Sequence, residues 1–282
     1  MKLPVKRMIT VCLITVILLI TRGTASAYPT GDDITADAAL VTITNEAGNL
    51  SEYSGAITDN GDLSVTTSAA LAGSRYGLQV VLDDTTNIYA YKALPAANTT
   101  GVLNARIYVD PNSLSMAYMD ELSFAYFVAA DGVTTVGSIQ FFYQNGYRIR
   151  GAMLDDGGTH LHTQPFAISD GPHRIDIRFT RATSSSAKNG SYEIWIDGVA
   201  KPALTGVDNY DRYSSFKTVA LGANSSVNKI RGTYFLDELT VGDAGAPPPG
   251  PTPPGPTPPN PTPVVNVCSS VGCKAFLPFL RH

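Results

Sequence analysis

Cysteine is nearly missing from this sequence. Of 282 residues only Cys12, Cys268 and Cys273 are cysteines, and none lies between residues 28 and 245. A fold in that stretch is held by its core and not by disulfides, and a cysteine nucleophile or a thiolate metal site is excluded there. Histidine is also scarce, with four residues, and no Gly-x-Ser-x-Gly elbow occurs. The usual sequence marks of nucleophilic hydrolysis are therefore lacking. Lys and Arg number 20 against 24 Asp and Glu, without the clustered basic footprint that a nucleic-acid partner requires. The longest apolar run, Met8–Ile20, has 13 residues, too few to span a bilayer comfortably.

What is present at the start has the order of an export signal. Lys2, Lys6 and Arg7 precede the apolar run, and Ala25-Ser26-Ala27 makes an A-x-A site before Tyr28. This predicts a signal peptide over residues 1–27, the alternative being an uncleaved anchor. Its removal takes away four cations and no acid, so the formal net charge moves from −4 to −8. At the other end, Pro247–Pro263 holds 11 prolines in 17 residues. Such a stretch neither pairs into a sheet nor enters a core, so residues 246–263 read as a disordered, extended polyproline stalk. The tail 264–282 carries Cys268 and Cys273 in C-x4-C spacing. Export makes a local disulfide the default, with a metal pair or an intermolecular thiol as alternatives. Its ending, Phe276-Leu277-Pro278-Phe279-Leu280-Arg281, reads either as a surface-retention tag or as a frayed apolar end.

Between these ends, residues 28–245 form one domain of short strands at regular intervals, with no helical period. Residues 172–198 show the pattern best. His173, Ile175, Ile177 and Phe179 alternate with Arg174, Asp176, Arg178 and Thr180, and Tyr192, Ile194 and Ile196 alternate with Glu193, Trp195 and Asp197. A period of two puts an apolar row on one face and a charged row on the other. Two half-buried strands need a second sheet over their apolar rows, so the fold class is all-β, a two-sheet antiparallel β-sandwich. Val102–Val109, Glu121–Ala129, Val133–Gln144 and Tyr147–Leu154 are further strands. Asn145-Gly146 predicts a two-residue hairpin that pairs Tyr143 with Arg148 and Phe141 with Arg150. Leu40–Thr44 is an edge strand expected to lie beside the terminal strand near Tyr234–Val241.

The stretch Gly-x-His-x-Ile-x-Ile-x-Phe, a small polar loop, then Ile-Trp-Ile-Asp-Gly resembles the central hairpin of concanavalin A-like, or laminin G-like, jelly rolls. Thr233-Tyr234-Phe235-Leu236-Asp237-Glu238-Leu239 resembles their closing strand. The resemblance implies a jelly roll over roughly residues 36–243. It also implies a structural calcium held by Asp237 with Glu46, unless Asp237 caps a turn or pairs with Arg231. Some enzymes of that superfamily cleave β-glucans with a strand motif Glu-x-Asp-x-x-Glu. The nearest match here, Arg174-Ile175-Asp176-Ile177-Arg178, has arginine at both catalytic positions, and arginine is neither nucleophile nor acid at neutral pH. Glu121-Leu122-Ser123 fails as well.

If the strands follow one another as neighbours, Phe141, Tyr143, Arg148, Arg150, Asp176, Arg178, Glu193 and Trp195 share one outward face. Flat rings stack on pyranose faces and forked donors bind hydroxyls or carboxylates, so this face reads as a sugar surface centred on Trp195 and Arg178. The plain alternative is a solvated, salt-bridged face in which Arg178 packs on Trp195. His160 and His162 share a strand face, either as metal ligands or as a surface coincidence. The sequence thus predicts a secreted, non-catalytic, lectin-like module that binds extracellular polysaccharide or cell-surface glycan. It has no nucleic-acid partner and no membrane span after processing, and apart from calcium no cofactor is implied. A structural or adhesive surface protein is the alternative, and a divergent glycoside hydrolase comes third.

Overall fold

The computed structural model describes residues 39–223 and 229–242. The expected signal peptide, stalk, tail and Cys268–Cys273 pair lie outside them. Seventeen strands build two antiparallel sheets. In chain order they are β1 (Ala39–Ile43), β2 (Gly55–Ile57), β3 (Leu63–Thr66), β4 (Gly77–Leu82), β5 (Ile88–Asn98), β6 (Val102–Asp110), β7 (Glu121–Ala129), β8 (Thr135–Tyr143) and β9 (Tyr147–Leu154). There follow β10 (His160–His162), β11 (Phe166–Ala167), β12 (His173–Thr180), β13 (Gly190–Ile196), β14 (Val199–Ala200), β15 (Leu204–Val207), β16 (Phe216–Ala223) and β17 (Gly232–Gly242). The first sheet runs β14-β13-β12-β6-β17-β4-β3, with β1 on β17 and β15 on β13. The second runs β10-β9-β8-β7-β16-β5-β2, with β11 on β9. The result is a jelly-roll-like β-sandwich, and β1 lies beside β17 as the apolar alternation of both ends requires.

Period-two patterning decides which way each strand faces. Leu103, Ala105 and Ile107 of β6 pair with Phe179, Ile177 and Ile175 of β12, which pair in turn with Tyr192, Ile194 and Ile196 of β13. All nine are buried. One strand is longer than its pattern suggests: β5 continues past Tyr91 to Asn98, through Pro95. The register against β16 breaks between Ala93 and Asn98, so the proline sits where no regular ladder bond is needed.

The sheets interlock through aromatic rings set against glycines. A Cβ on Gly151 of β9 would fall 2.3 Å from the Tyr192 ring, and one on Gly137 of β8 would fall 3.2 Å from Phe179. The Tyr192 hydroxyl, fully buried, donates to the backbone carbonyl of Ser138 at 2.9 Å, and burial holds its pKa far above the ordinary phenol value. Phe179 also stacks edge-on with Phe216 at 4.9 Å, reaching β16. Gly151→Ala is therefore expected to cost about 1–3 kcal/mol by overpacking. Tyr192→Phe, which strips the donor from a buried carbonyl, should cost about 1–3 kcal/mol. Urea midpoints at unchanged m-value measure both.

Candidate functional site

The outward face of the second sheet is set by the β8–β9 hairpin. Its loop contains three residues, Gln144, Asn145 and Gly146, and not two. Tyr143 consequently pairs with Tyr147, Phe142 with Arg148, Phe141 with Ile149 and Gln140 with Arg150. The one-residue change of register turns every side chain of one strand over relative to expectation. Phe141 is fully buried and stacks on Phe124 and Tyr234, and Tyr143 packs against the core beside Tyr147. Neither is a ligand-facing ring. Arg148 and Arg150 stand on the opposite, outward side, where Gln140 and Phe142 join them.

Cross-strand pairing assembles the site in rows. Glu121 of β7 lies opposite Phe142, which lies opposite Arg148; Ser123 lies opposite Gln140, which lies opposite Arg150. The next row is Tyr126, Ser138, Ala152 and His162, and His160 pairs with Leu154 beyond it. Arg150 is held from three sides. Its Nε donates to Gln140 Oε1 at 2.7 Å, its Nη2 bonds Glu121 Oε2, and its guanidinium lies 4.6 Å above the Phe142 ring. Gln140 Nε2 donates in turn to Ser123 Oγ at 2.9 Å. The register slips at Phe124, a bulge beside Ser123, and the Tyr126 hydroxyl donates to the Ser123 carbonyl at 2.7 Å.

Tyr126, Ser138, Gln140, Phe142, Ala152 and Leu154 face away from the core yet are all buried. They make a low floor between the taller, half-buried Arg148 and Arg150 and the exposed His160 and His162. Desolvation holds both imidazoles below their ordinary pKa; at His162 the charges of Arg150 and His160 push the same way and Glu121 opposes them. Both rings are thus biased to the neutral, proton-accepting form. Sequence reading nominated Arg148 and Arg150 but missed Gln140, Ser123 and Tyr126 and set His162 aside. The alternation of β8 did carry a signal, since Ser138 and Gln140 are its polar positions.

Trp195, Arg178, Asp176 and Glu193 belong to the first sheet, so the composite face expected from the sequence does not exist. Within that sheet Asp176 pairs with Trp195 and Arg178 with Glu193, all on the outward side. Asp176 is fully buried there and is no ligand group, because Arg106 Nε bonds it at 2.6 Å and Arg174 Nε at 2.9 Å. Asp237 is also fully buried; it accepts from Asn45 Nδ2, Ser74 Oγ and the Leu71 and Glu238 backbone N–H groups. Glu46 accepts from the backbone N–H groups of Arg75 and Tyr76. As arranged, the expected calcium pair is a hydrogen-bonded clamp on one loop. No group of three His, Cys, Asp or Glu that could hold a metal converges among the described residues. His173 ends the apolar row opposite Val109, with Nδ1 on Asp197 at 2.7 Å and Nε2 near Ser169 Oγ at 2.8 Å. Nε2 also accepts the Ser169 N–H at 3.1 Å, which makes this a turn staple. Asp176→Ala removes the buried carboxylate that Arg106 and Arg174 share and is expected to destabilise by about 3–5 kcal/mol, read as a lowered urea midpoint.

No protein-family model and no curated relative matches the sequence. Solved structures do. An endo-beta-1,4-glucuronan lyase from the fungus Trichoderma reesei matches with a TM-score of 0.53 at 14% identity, over 73% of this chain and 95% of that one. Alginate lyase Aly36B in complex with alginate tetrasaccharide matches with a TM-score of 0.52 at 13% identity, over 72% of this chain and 96% of that one. The likeness is one of fold. The expectation of a non-catalytic, lectin-like module is corrected on this finding, because both of these structures, matched along nearly their whole length, are polysaccharide lyases.

Proposed function

We propose that this chain is an exported, concanavalin A-like polysaccharide lyase that cleaves a carboxylate-bearing polysaccharide by β-elimination on the outward face of the second sheet. One observation carries the reading: Arg150, locked by Gln140 and Glu121, stands one row from His162, whose imidazole is biased toward the neutral form. Elimination in a uronic acid needs the C5 proton removed, and that proton is weakly acidic because the neighbouring carboxylate already bears charge. A guanidinium and an amide on the carboxylate stabilise the charge that builds up as the proton leaves. Neutral His162 accepts the C5 proton, the electron pair forms the C4–C5 double bond, and the C4–O4 bond breaks. The departing oxygen takes the proton back from the imidazolium. The products are an unsaturated uronyl end and a new reducing end, with no oxidant or water consumed.

Hydrolysis fits the same face poorly. Glycosidases place two carboxyl groups about 5–9.5 Å apart across the scissile bond. Strands β7 to β10 carry one carboxylate, Glu121, and Arg150 engages it. The chain's overall acidity argues for a local basic seat, since a polyanion must be drawn to Arg148 and Arg150 against the net charge.

Incubation of the recombinant protein with glucuronan and with alginate tests the reading. Ultraviolet absorbance of the conjugated uronyl end is expected to rise, and cleavage that yields only saturated ends would sink it. Arg150→Ala should lower kcat roughly 10²–10³-fold, and His162→Gln roughly 10²–10⁴-fold.

The pH dependence follows from the depressed imidazole. The neutral form is the base, so a lowered pKa keeps it available below the ordinary histidine value of about 6.5. The acid limb of kcat/KM should fall below that pH. Glu121 raises the His162 pKa by favouring the imidazolium, so Glu121→Gln should move the NMR titration of His162 further down. A titration at or above the ordinary value contradicts the assignment.

A further inference from the structure

The row that holds His162 does not stop at β7. It continues from Tyr126 to Ala220 on β16, to Tyr91 on β5 and to Gly55 on β2. At about 4.8 Å between strands, Tyr91 stands roughly 14 Å from β8 and 19 Å from β9, with Ala220 and the buried Tyr126 between. Ala220 opposite it and Thr218 and Gly222 alongside leave the floor low. At the far end the surface rises into a ring. A Cβ on Gly55 would fall 2.6 Å from the Tyr91 hydroxyl and 2.7 Å from its ring carbon, so the ring covers the glycine. It is 38% exposed, and beside it Ile57, 46% exposed, pairs with Tyr89.

We propose that Tyr91, flanked by Ile57 and Tyr89, is a remote subsite on which a sugar ring of the same polysaccharide stacks, several residues from the bond that breaks. This rests on the lyase reading for the identity of the polymer. The occupant follows from continuity, since a chain laid across the strands past His162, one row from Arg150, runs along this row. It also follows from chemistry, since a flat ring seated on glycine offers one π face to the apolar side of a pyranose. A covered edge glycine would explain the ring's seat but not its place at the end of the same low row. Such a subsite favours cleavage inside long chains and leaves the shortest oligomers indifferent to it.

Tyr91→Leu keeps bulk over Gly55 and removes the π face, whereas Tyr91→Phe keeps the ring. The full chain is assayed for kcat/KM on a uronate polymer and on its shortest cleaved oligomer. Binding of the polymer to His162→Gln, with and without Tyr91→Leu, is measured in parallel by affinity electrophoresis. Tyr91→Leu is expected to lower polymer kcat/KM and polymer binding roughly 5- to 100-fold, the scale of losing one stacked ring. The shortest oligomer should be unaffected, and Tyr91→Phe should behave as wild type. Equal losses on oligomer and polymer, a loss in Tyr91→Phe matching that in Tyr91→Leu, or polymer binding indifferent to Tyr91 each overturn the subsite. If no variant eliminates, Tyr91-dependent polymer binding still upholds the subsite while the lyase reading falls.

Discussion

The Tyr192 ring lying on Gly151, with its hydroxyl on the Ser138 carbonyl, is the contact on which the rest of the molecule depends. It joins the central hairpin of one sheet to the middle of the other. Ser138 and its neighbours carry the candidate site on their outward side, so a core contact sets the position of a surface. Neither partner is replaceable within this packing. A larger residue at 151 meets the ring, and a smaller one at 192 leaves a cavity and loses the hydrogen bond to Ser138. Phe179 beside Gly137 repeats the device one strand along.

On the outward side the governing constraint is electrostatic. Arg150 pairs with Glu121, accepts the Phe142 ring beneath it and is steered by Gln140, so its fork is oriented before any ligand arrives. The first sheet uses the same residue types to opposite effect. Asp176 is enclosed by Arg106 and Arg174 with no exposure to solvent, which builds a strut and not a seat. Trp195 pairs beside Asp176 on that sheet, and it was the residue that most drew attention in the sequence. A sole tryptophan on a polar row is conspicuous in one dimension, yet conspicuousness says nothing about which sheet a strand joins.

Much of the architecture was legible because it is local. The alternation of Ile175, Ile177 and Phe179 with charged residues, and of Tyr192, Ile194 and Ile196 with Glu193 and Trp195, specifies strands and the buried side of each. The edge strand near Leu40 and the closing strand near Val241 paired as expected. The site was legible only in fragments. Arg148 and Arg150 stood out by charge. Gln140 and Ser123 did not, because their meaning comes from pairings with each other and with Arg150 across strands, 10 to 17 residues apart, and Tyr126 did not, because a bulge in its own strand places it.

What the sequence by itself determined is the all-β class and the two-faced strands, since hydrophobic period and turn residues act within a few positions. Tertiary structure alone decided which rows share a face. A third residue in the Gln144–Gly146 loop shifted the β8–β9 register by one, sending Phe141 and Tyr143 into the core and placing Gln140 beside Arg150. The chain also crosses between sheets after β11, separating Trp195 from the arginines it was expected to join. Both outcomes turn on non-local pairing, where a single residue of register inverts a face and no local preference records the choice.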